Sequence, residues 1–280
     1  MKLGLGTVQF GQAYGVSNSR GQVARDEAAA ILQRAAQAGI TVLDTAANYG
    51  EAEAVLAALD TAPFRIVTKT INLRGDTQAV VARARASKAA LPAADTLLVH
   101  AAADLEDAGL WPALQRLKAD GTFARIGIST YVADDPAALA ARFKPDVMQL
   151  PFSLLDQRLL KDGTLARLHG MGVEIHARSL FLQGLLLMTP ESLPDNLKSA
   201  APHLTGLRAR LAAAGTTPLA AAIAFVLSRP QIAVGLVGVT GLDELNDILA
   251  AAARPLPALD WDASGLEDER ILTPSLWSQP

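Results

Sequence analysis

The chain has 280 residues, a formal net charge of −3, 50% hydrophobic and 19% charged residues, and no Cys. So much apolar side chain at so small a net charge excludes a disordered chain, and the absence of Cys excludes a disulfide framework, a thiolate metal site and a cysteine nucleophile. The slightly acidic balance leaves no basic stripe to follow phosphates, which argues against nucleic acid as a partner.

Short apolar, β-branched runs alternate with longer Ala-rich segments of helical period, the pattern of parallel βα units. Strands are predicted at residues 3–8, 40–44, 65–69, 96–100, 125–129, 147–150, 173–177 and 234–237. Helices are predicted at 26–38, 51–59, 77–90, 110–119, 135–142, 157–169, 217–228 and 242–252. Gly39, Gly121, Gly170 and Gly172 supply the unhindered backbone at which helices stop. Eight such units with no composition break or linker predict one α/β domain over 1–280. A single (β/α)8 TIM barrel is favoured over an open doubly wound sheet, with the active site at the C-terminal mouth of the barrel. The segment 180–205, with Pro190, Pro194 and Pro202, is too long for a routine connection and reads as an inserted loop over that mouth. The tail 255–280, with Trp261 and Trp277, would either cap the same face or fray from the surface. Residues 1–6 read as strand and not as a signal-peptide core, and no apolar run approaches the roughly 18 residues of a membrane span. A cytoplasmic protein with no membrane partner is expected.

Four polar residues stand at or just beyond the ends of consecutive predicted strands: Asp44, Tyr49, Lys69 and His100. In a barrel, C-terminal strand ends converge on one mouth, so these residues would meet. Each has a plainer structural reading alone: a helix cap for Asp44, a half-buried aromatic for Tyr49, a snorkelling side chain for Lys69, a hydrogen-bonded core imidazole for His100. Their succession is what points to chemistry. No metal site is read, because His169, His176 and His203 have no carboxylate or histidine at ligand spacing. Gly127-Ile128-Ser129-Thr130-Tyr131 lacks the second Gly of a nucleophile elbow.

The stretches Gly4-Leu5-Gly6-Thr7, Asp44-Thr45-Ala46-Ala47-Asn48-Tyr49-Gly50, Val67-Thr68-Lys69, Leu97-Leu98-Val99-His100 and Gly127-Ile128-Ser129 occur in that order. They are followed by Gln149 and by residues 179–184. With these motifs the chain resembles the aldo-keto reductase superfamily over nearly its whole length. The resemblance implies NAD(P)H-dependent reduction of an aldehyde, ketone or sugar to an alcohol. Tyr49 would be the general acid, its phenol made a better donor by the Lys69 ammonium. Asp44 would hold Lys69 charged, and His100 would bind the substrate carbonyl. Implied cofactor contacts are Ser129 and Gln149 on the nicotinamide carboxamide and Gly6 and Thr7 beside the ribose. Ser179, Leu180, Leu182 and Gly184 would surround the pyrophosphate. The helix start after Gly238, with Val239, Thr240, Glu244 and Asp247, would meet the adenosine end.

Three positions depart from the family pattern. Thr130 stands where an Asn often follows the strand-five Ser. Arg178 replaces the usual aromatic ring against the nicotinamide; its charge would favour the reduced over the cationic oxidised cofactor, unless it turns out to a phosphate or an acidic side chain. Residues 238–247 hold no Lys or Arg for a ribose 2′-phosphate, and Asp243, Glu244 and Asp247 would repel one, so NAD(H) is expected over NADP(H). Arg208 or Arg210 could overturn that by reaching the phosphate from elsewhere. The substrate would be a small carbonyl compound, neutral by preference, selected by residues 101–111 and 180–205 and by the tail. The alternative is a regulatory member of the family that binds NAD(H) and acts on a protein partner, as potassium-channel β subunits and the bacterial cell-division regulator KidO do.

Overall fold

The structure, a computed structural model, describes residues 1–277. Eight strands form its centre: β1 Leu3–Gly6, β2 Val42–Asp44, β3 Arg65–Lys69, β4 Ala94–Val99, β5 Arg125–Ser129, β6 Val147–Pro151, β7 Glu174–Arg178 and β8 Ile232–Gly238. They pair in parallel in chain order, and β8 returns to β1 in the register Leu3↔Gly235 to Gly6↔Gly238, closing the (β/α)8 barrel. Helices Arg25–Gln37, Ala52–Ala57, Thr77–Ala90, Leu110–Ala119, Pro136–Phe143, Thr164–Gly170, Pro218–Leu227 and Leu242–Ala252 form the outer ring.

Strand alternation sorts the apolar residues into two cores. Outward side chains such as Leu5, Leu43, Ile66, Leu97, Ile128 and Ile175 join the helices in one large cluster. Inward side chains Val42, Val67, Leu98, Val147, Val234 and Leu236 form a separate plug inside the barrel. Two glycines make room for it. A Cβ on Gly4 would fall 2.7 Å from Val234, and one on Gly127 would fall 2.6 Å from Leu98 and 2.1 Å from the Val147 carbonyl.

At the first residues of β3, β5 and β7 lies a charged floor. Glu174 accepts from Arg65 (2.7 Å) and Arg125 (2.8 Å), Arg125 also reaches Asp95, and the fully buried His176 shares a 2.7 Å bond with Glu174. The sequence reading left His176 without a carboxylate; strand alternation supplies one two residues away. The bond to His176 and the Arg65 guanidinium hold the Glu174 carboxyl down at about 2 from 4.5, against the opposing effect of burial. A depressed folded-state value contributes stability above the unfolded value and loses it as pH falls towards 2, at most about 3 kcal/mol here. Denaturant titrations should therefore show Glu174→Gln less stable than the parent at neutral pH, with a smaller further loss on going from about pH 5 to pH 2.

Several predicted elements shift. The first strand ends at Gly6, and Val8–Gly11 is a helical turn. The helix expected over 157–169 is two, Arg158–Lys161 and Thr164–Gly170, because Gly163 takes φ +78° between them. The inserted loop expected over 180–205 holds three 3-10 turns, Leu185–Leu187, Pro190–Ser192 and Asp195–Ala200, and the last runs into helix Ala201–Ala213. Pro202 lies in the first turn of that helix, where no amide hydrogen is required, so it starts a helix where it was read as marking loop. The described tail packs against the barrel and lines none of the cavity. Trp261 packs on Phe225 at 6.1 Å, the Trp277 indole donates to the Ile271 carbonyl, and the Trp277 carbonyl accepts from Asn196 of the segment after β7. Residues 278–280 lie outside the described residues. No single helix among those described is long and apolar enough to cross a membrane.

Candidate active site

The same alternation that builds the plug builds the layer above it. Asp44, Lys69, His100 and Gln149 each stand two residues beyond a plug residue, Val42, Val67, Leu98 and Val147. Each therefore points inward one step nearer the C-terminal mouth. Tyr49 comes from the turn after β2. That turn is pressed against Val8–Gly11, where a Cβ on Gly11 would sit 1.8 Å from the Tyr49 carbonyl. Gly50, at φ +54°, has its own Cβ position 2.3 Å from the Gly11 carbonyl, so both positions require glycine.

Lys69 is buried, and its Nζ donates to both Asp44 oxygens (2.8 and 2.7 Å), to the Thr45 carbonyl (2.9 Å) and to the Tyr49 hydroxyl (3.3 Å). Burial, the largest single influence, would strip its charge, but Asp44 and Tyr49 together outweigh it and raise the ammonium above its ordinary value. The proton stays on Lys69, 4.8 Å from the Tyr49 ring centroid. The His100 ring meets the Tyr49 ring edge-on at 5.8 Å. Burial first, then the Lys69 ammonium, push the imidazole down to about 4, so it is neutral at pH 7 and presents one N–H donor. Its Nδ1 is buried and has no partner among the described residues.

These groups open into a cavity of about 550 Å3. Asp44, Tyr49, His100, Gly6, Ser129, Gln149, Arg178, Ser179, Leu180, Gly184, Gly238, Thr240, Glu244 and Asp247 all line it. The loop after β7 is held in left-handed backbone at Ser179 (φ +62°), Leu182 (+47°), Gln183 (+52°) and Gly184 (+96°). Three such non-glycine residues in one loop are costly, and strain of this kind gathers where a ligand is held.

Five expected positions do not face the cavity. Lys69 is sealed behind Asp44 and Tyr49. Thr7 is buried, and both its amide and its hydroxyl donate to the Asp44 carbonyl (2.9 and 3.0 Å), so it fastens Asp44 rather than a ribose. Thr130 is buried with its hydroxyl unpartnered; its carbonyl accepts from Arg178 (2.9 Å). The left-handed turn at Leu182 sends that side chain into the core, and alternation beyond β8 does the same to Val239. Gln149 faces the cavity, and its Nε2 donates to Asp44 at 2.6 Å, which leaves its oxygen and one N–H for a carboxamide.

Arg178 stays in the cavity wall. Its guanidinium lies 4.4 Å over the Tyr131 ring and binds the Thr130 carbonyl, turned to no acidic side chain among the described residues. At the other end, Arg208 donates to the carbonyls of Leu187 and Met188 and Arg210 to that of Ala263, so neither reaches the helix start at Leu242. The cations that do come there are Arg20, in two bonds to Asp243 (2.7 and 2.6 Å), and Arg34, which donates to Asn246. Glu244 caps the turn before its own helix by accepting from the Thr240 amide and hydroxyl. Sequence reasoning missed Gln9, Tyr14, Ser17, Tyr131 and Gln183 on the cavity wall. The segment after Val8–Gly11 arches over the mouth, where Gln183 donates to the Tyr14 hydroxyl (3.1 Å) and Gly184 leaves room for Ser17. Of the loops expected to select substrate, residues 180–187 contribute to the wall, whereas residues 101–111 and the described tail do not.

Residues 2–264 match the aldo/keto reductase family. Two uncharacterised oxidoreductases, of Mycobacterium tuberculosis and Mycobacterium bovis, are 29% identical over 290 aligned positions, covering 94% of this chain and 87% of each relative. Among solved structures, the holo form of an aldo-keto reductase from Bacillus halodurans superposes with a TM-score of 0.75 at 19% identity, covering 99% of this chain and 94% of that one. A putative aldo-keto reductase from Pseudomonas aeruginosa gives 0.65 at 23% identity, covering 90% and 89%.

Proposed function

This chain belongs to the aldo/keto reductase family, an oxidoreductase family that works with nicotinamide cofactors, and from that premise we propose that it reduces a small carbonyl compound with NADH, Tyr49 serving as the general acid. The observation that carries the reading is the buried Asp44–Lys69 pair ending on the Tyr49 hydroxyl at 3.3 Å, beside a neutral His100, in the wall of a cavity. Lys69 keeps a positive charge at the phenol oxygen and favours the phenolate left when the proton departs. The neutral His100 donates a hydrogen bond to the carbonyl oxygen and fixes it within reach of Tyr49. After transfer, the Tyr49 oxygen is held by Lys69 until a proton returns to it.

The residues present suit a dinucleotide. The strained backbone of residues 179–184 and the small floor at Gly6 and Gly238 lie along one continuous cavity with the catalytic groups. Ser129 and the Gln149 oxygen would receive the carboxamide, the Ser179–Gly184 loop the pyrophosphate, and Thr240 and Asp247 the adenosine end. A bound reduced nicotinamide supplies the hydride. Arg178, turned to no carboxylate among the described residues, places a positive charge in the wall and would disfavour the oxidised, cationic form.

Asp243 is neutralised by Arg20, but Glu244 and Asp247 still face the cavity and would oppose a 2′-phosphate. Titration by quenching of intrinsic fluorescence should give tighter binding of NADH than of NADPH, and tighter binding of NADH than of NAD+. Tighter NADPH binding would reverse the assignment at the adenosine end, and equal affinity for NADH and NAD+ would remove the role given to Arg178. The function is tested by following NADH absorbance with a panel of aldehydes, ketones and sugars. Turnover supports the reductase; tight NADH binding without turnover on any of them would favour a regulatory member acting on a protein.

A further inference from the structure

A second buried carboxylate stands behind the Tyr49–Lys69 pair, outside the cavity. Glu53 lies four residues after Tyr49 on helix Ala52–Ala57, with its side chain 7% exposed. Its Oε1 accepts from the Thr68 hydroxyl at 2.6 Å. Its Oε2 accepts from the Ser87 hydroxyl at 3.0 Å and from the Arg83 guanidinium, which also reaches Ser87. Thr68 and Ser87 are themselves buried.

Thr68 immediately precedes Lys69 on β3, so alternation turns Thr68 towards the helices while Lys69 turns into the barrel. Glu53 therefore ties the helix that grows out of the Tyr49 turn to the residue beside Lys69. The link continues to Tyr49, because the Ala52 amide donates to the Tyr49 carbonyl at 3.0 Å. On the other side, Ser87 and Arg83 fasten Glu53 to helix Thr77–Ala90. Hydrogen bonds to an ionised carboxylate are short and directional, so this brace sets a distance where apolar packing would only fill a space.

We propose that Glu53 is a positioning residue for the Tyr49–Lys69 pair, holding the two chain segments in the register that brings phenol and ammonium together. The proposal rests on the reductase reading for its consequence in turnover, and on geometry alone for its effect on Tyr49. Displacing a reacting group by about 1 Å is enough to slow a reaction on the order of a hundredfold.

Thr68→Val is the primary variant, since it keeps the shape and strand preference of Thr and removes only the bond to Glu53. Glu53→Gln is the second, and Ser87→Ala the control that loosens the outer side of the brace alone. The chain has three Tyr, so labelling the tyrosine Cζ with 13C yields resonances that Tyr49→Phe assigns. Thr68→Val and Glu53→Gln should move the Tyr49 resonance while those of Tyr14 and Tyr131 stay in place; Ser87→Ala should lower the melting temperature and leave all three. In turnover, Thr68→Val and Glu53→Gln should lower kcat by about tenfold to a hundredfold and displace its pH profile, with KM and the NADH affinity nearly unchanged. An unmoved Tyr49 resonance in Thr68→Val, with or without a loss of melting temperature, would overturn the proposal. If the parent protein reduces no carbonyl, the reductase reading fails, and the resonance still decides for or against Glu53.

Discussion

Tyr49→Phe should lower kcat for carbonyl reduction by about 10³-fold or more while leaving the affinity for NADH unchanged. The substitution deletes a single oxygen. The ring keeps its edge-on contact with His100 and the turn pressed against Gly11 is untouched, so fold and cavity shape are preserved. What is lost is the proton donor beside Lys69. Neither neighbour replaces it: His100 is neutral, being pushed down to about 4, and burial shifts the Tyr14 phenol away from donation. Single-turnover measurements with bound NADH separate the chemical step from binding. Retention of more than about a tenth of the rate would place the acid elsewhere. Tight NADH binding in both proteins with turnover only in the parent is the pattern that the general-acid reading demands.

Asp44→Asn should be the most damaging single substitution for stability, costing about 3–5 kcal/mol, and should abolish turnover as well. It leaves Lys69 buried with its ammonium facing an amide, after losing the carboxylate that accepted from Lys69 twice and from Gln149 once. Lys69→Met strands the opposite charge and should cost a similar amount. The double variant Asp44→Leu/Lys69→Met removes both charges and should recover much of the stability, since a buried ion pair replaced by apolar side chains is often near neutral in folding. It should recover no activity, because the Tyr49 proton no longer has a cation beside it. Denaturant unfolding and a turnover assay on the same four proteins test both halves. A double variant as unstable as the singles would show that the pair contributes more than mutual neutralisation. The raised Lys69 value also fixes the sign with pH: this stability is fully present below the ordinary lysine value of 10.5 and is lost only as pH rises through the higher folded value.

The barrel was legible because its strands are short and buried on both faces, so each appears as an apolar run bounded by turn residues. The position of Asp44, Lys69 and His100 was legible for the same reason. Each is a polar residue closing such a run, and strand alternation admits one direction for it. Where the chain leaves the strands, local pattern lost its force. Pro202 reads as a loop residue and lies in the first turn of a helix; Thr7 and Thr130 read as ligand contacts, but the Thr7 hydroxyl donates to the Asp44 carbonyl and the Thr130 carbonyl holds Arg178.

The count and order of the βα units, the inward polar ring and the absence of any local cation at residues 238–247 are properties of neighbours along the chain, and periodicity and spacing reach that far. Whether Arg178 faces the cavity, whether Arg20 comes to Asp243, and which segment roofs the mouth depend on residues separated by 48 to 223 positions. No pattern of period two or 3.6 carries such information. Barrel closure sets those meetings, because it brings the loops after β1, β5, β7 and β8 around one opening, where close approach at Gly11, Gly50 and Gly184 and a few directional bonds choose the partners.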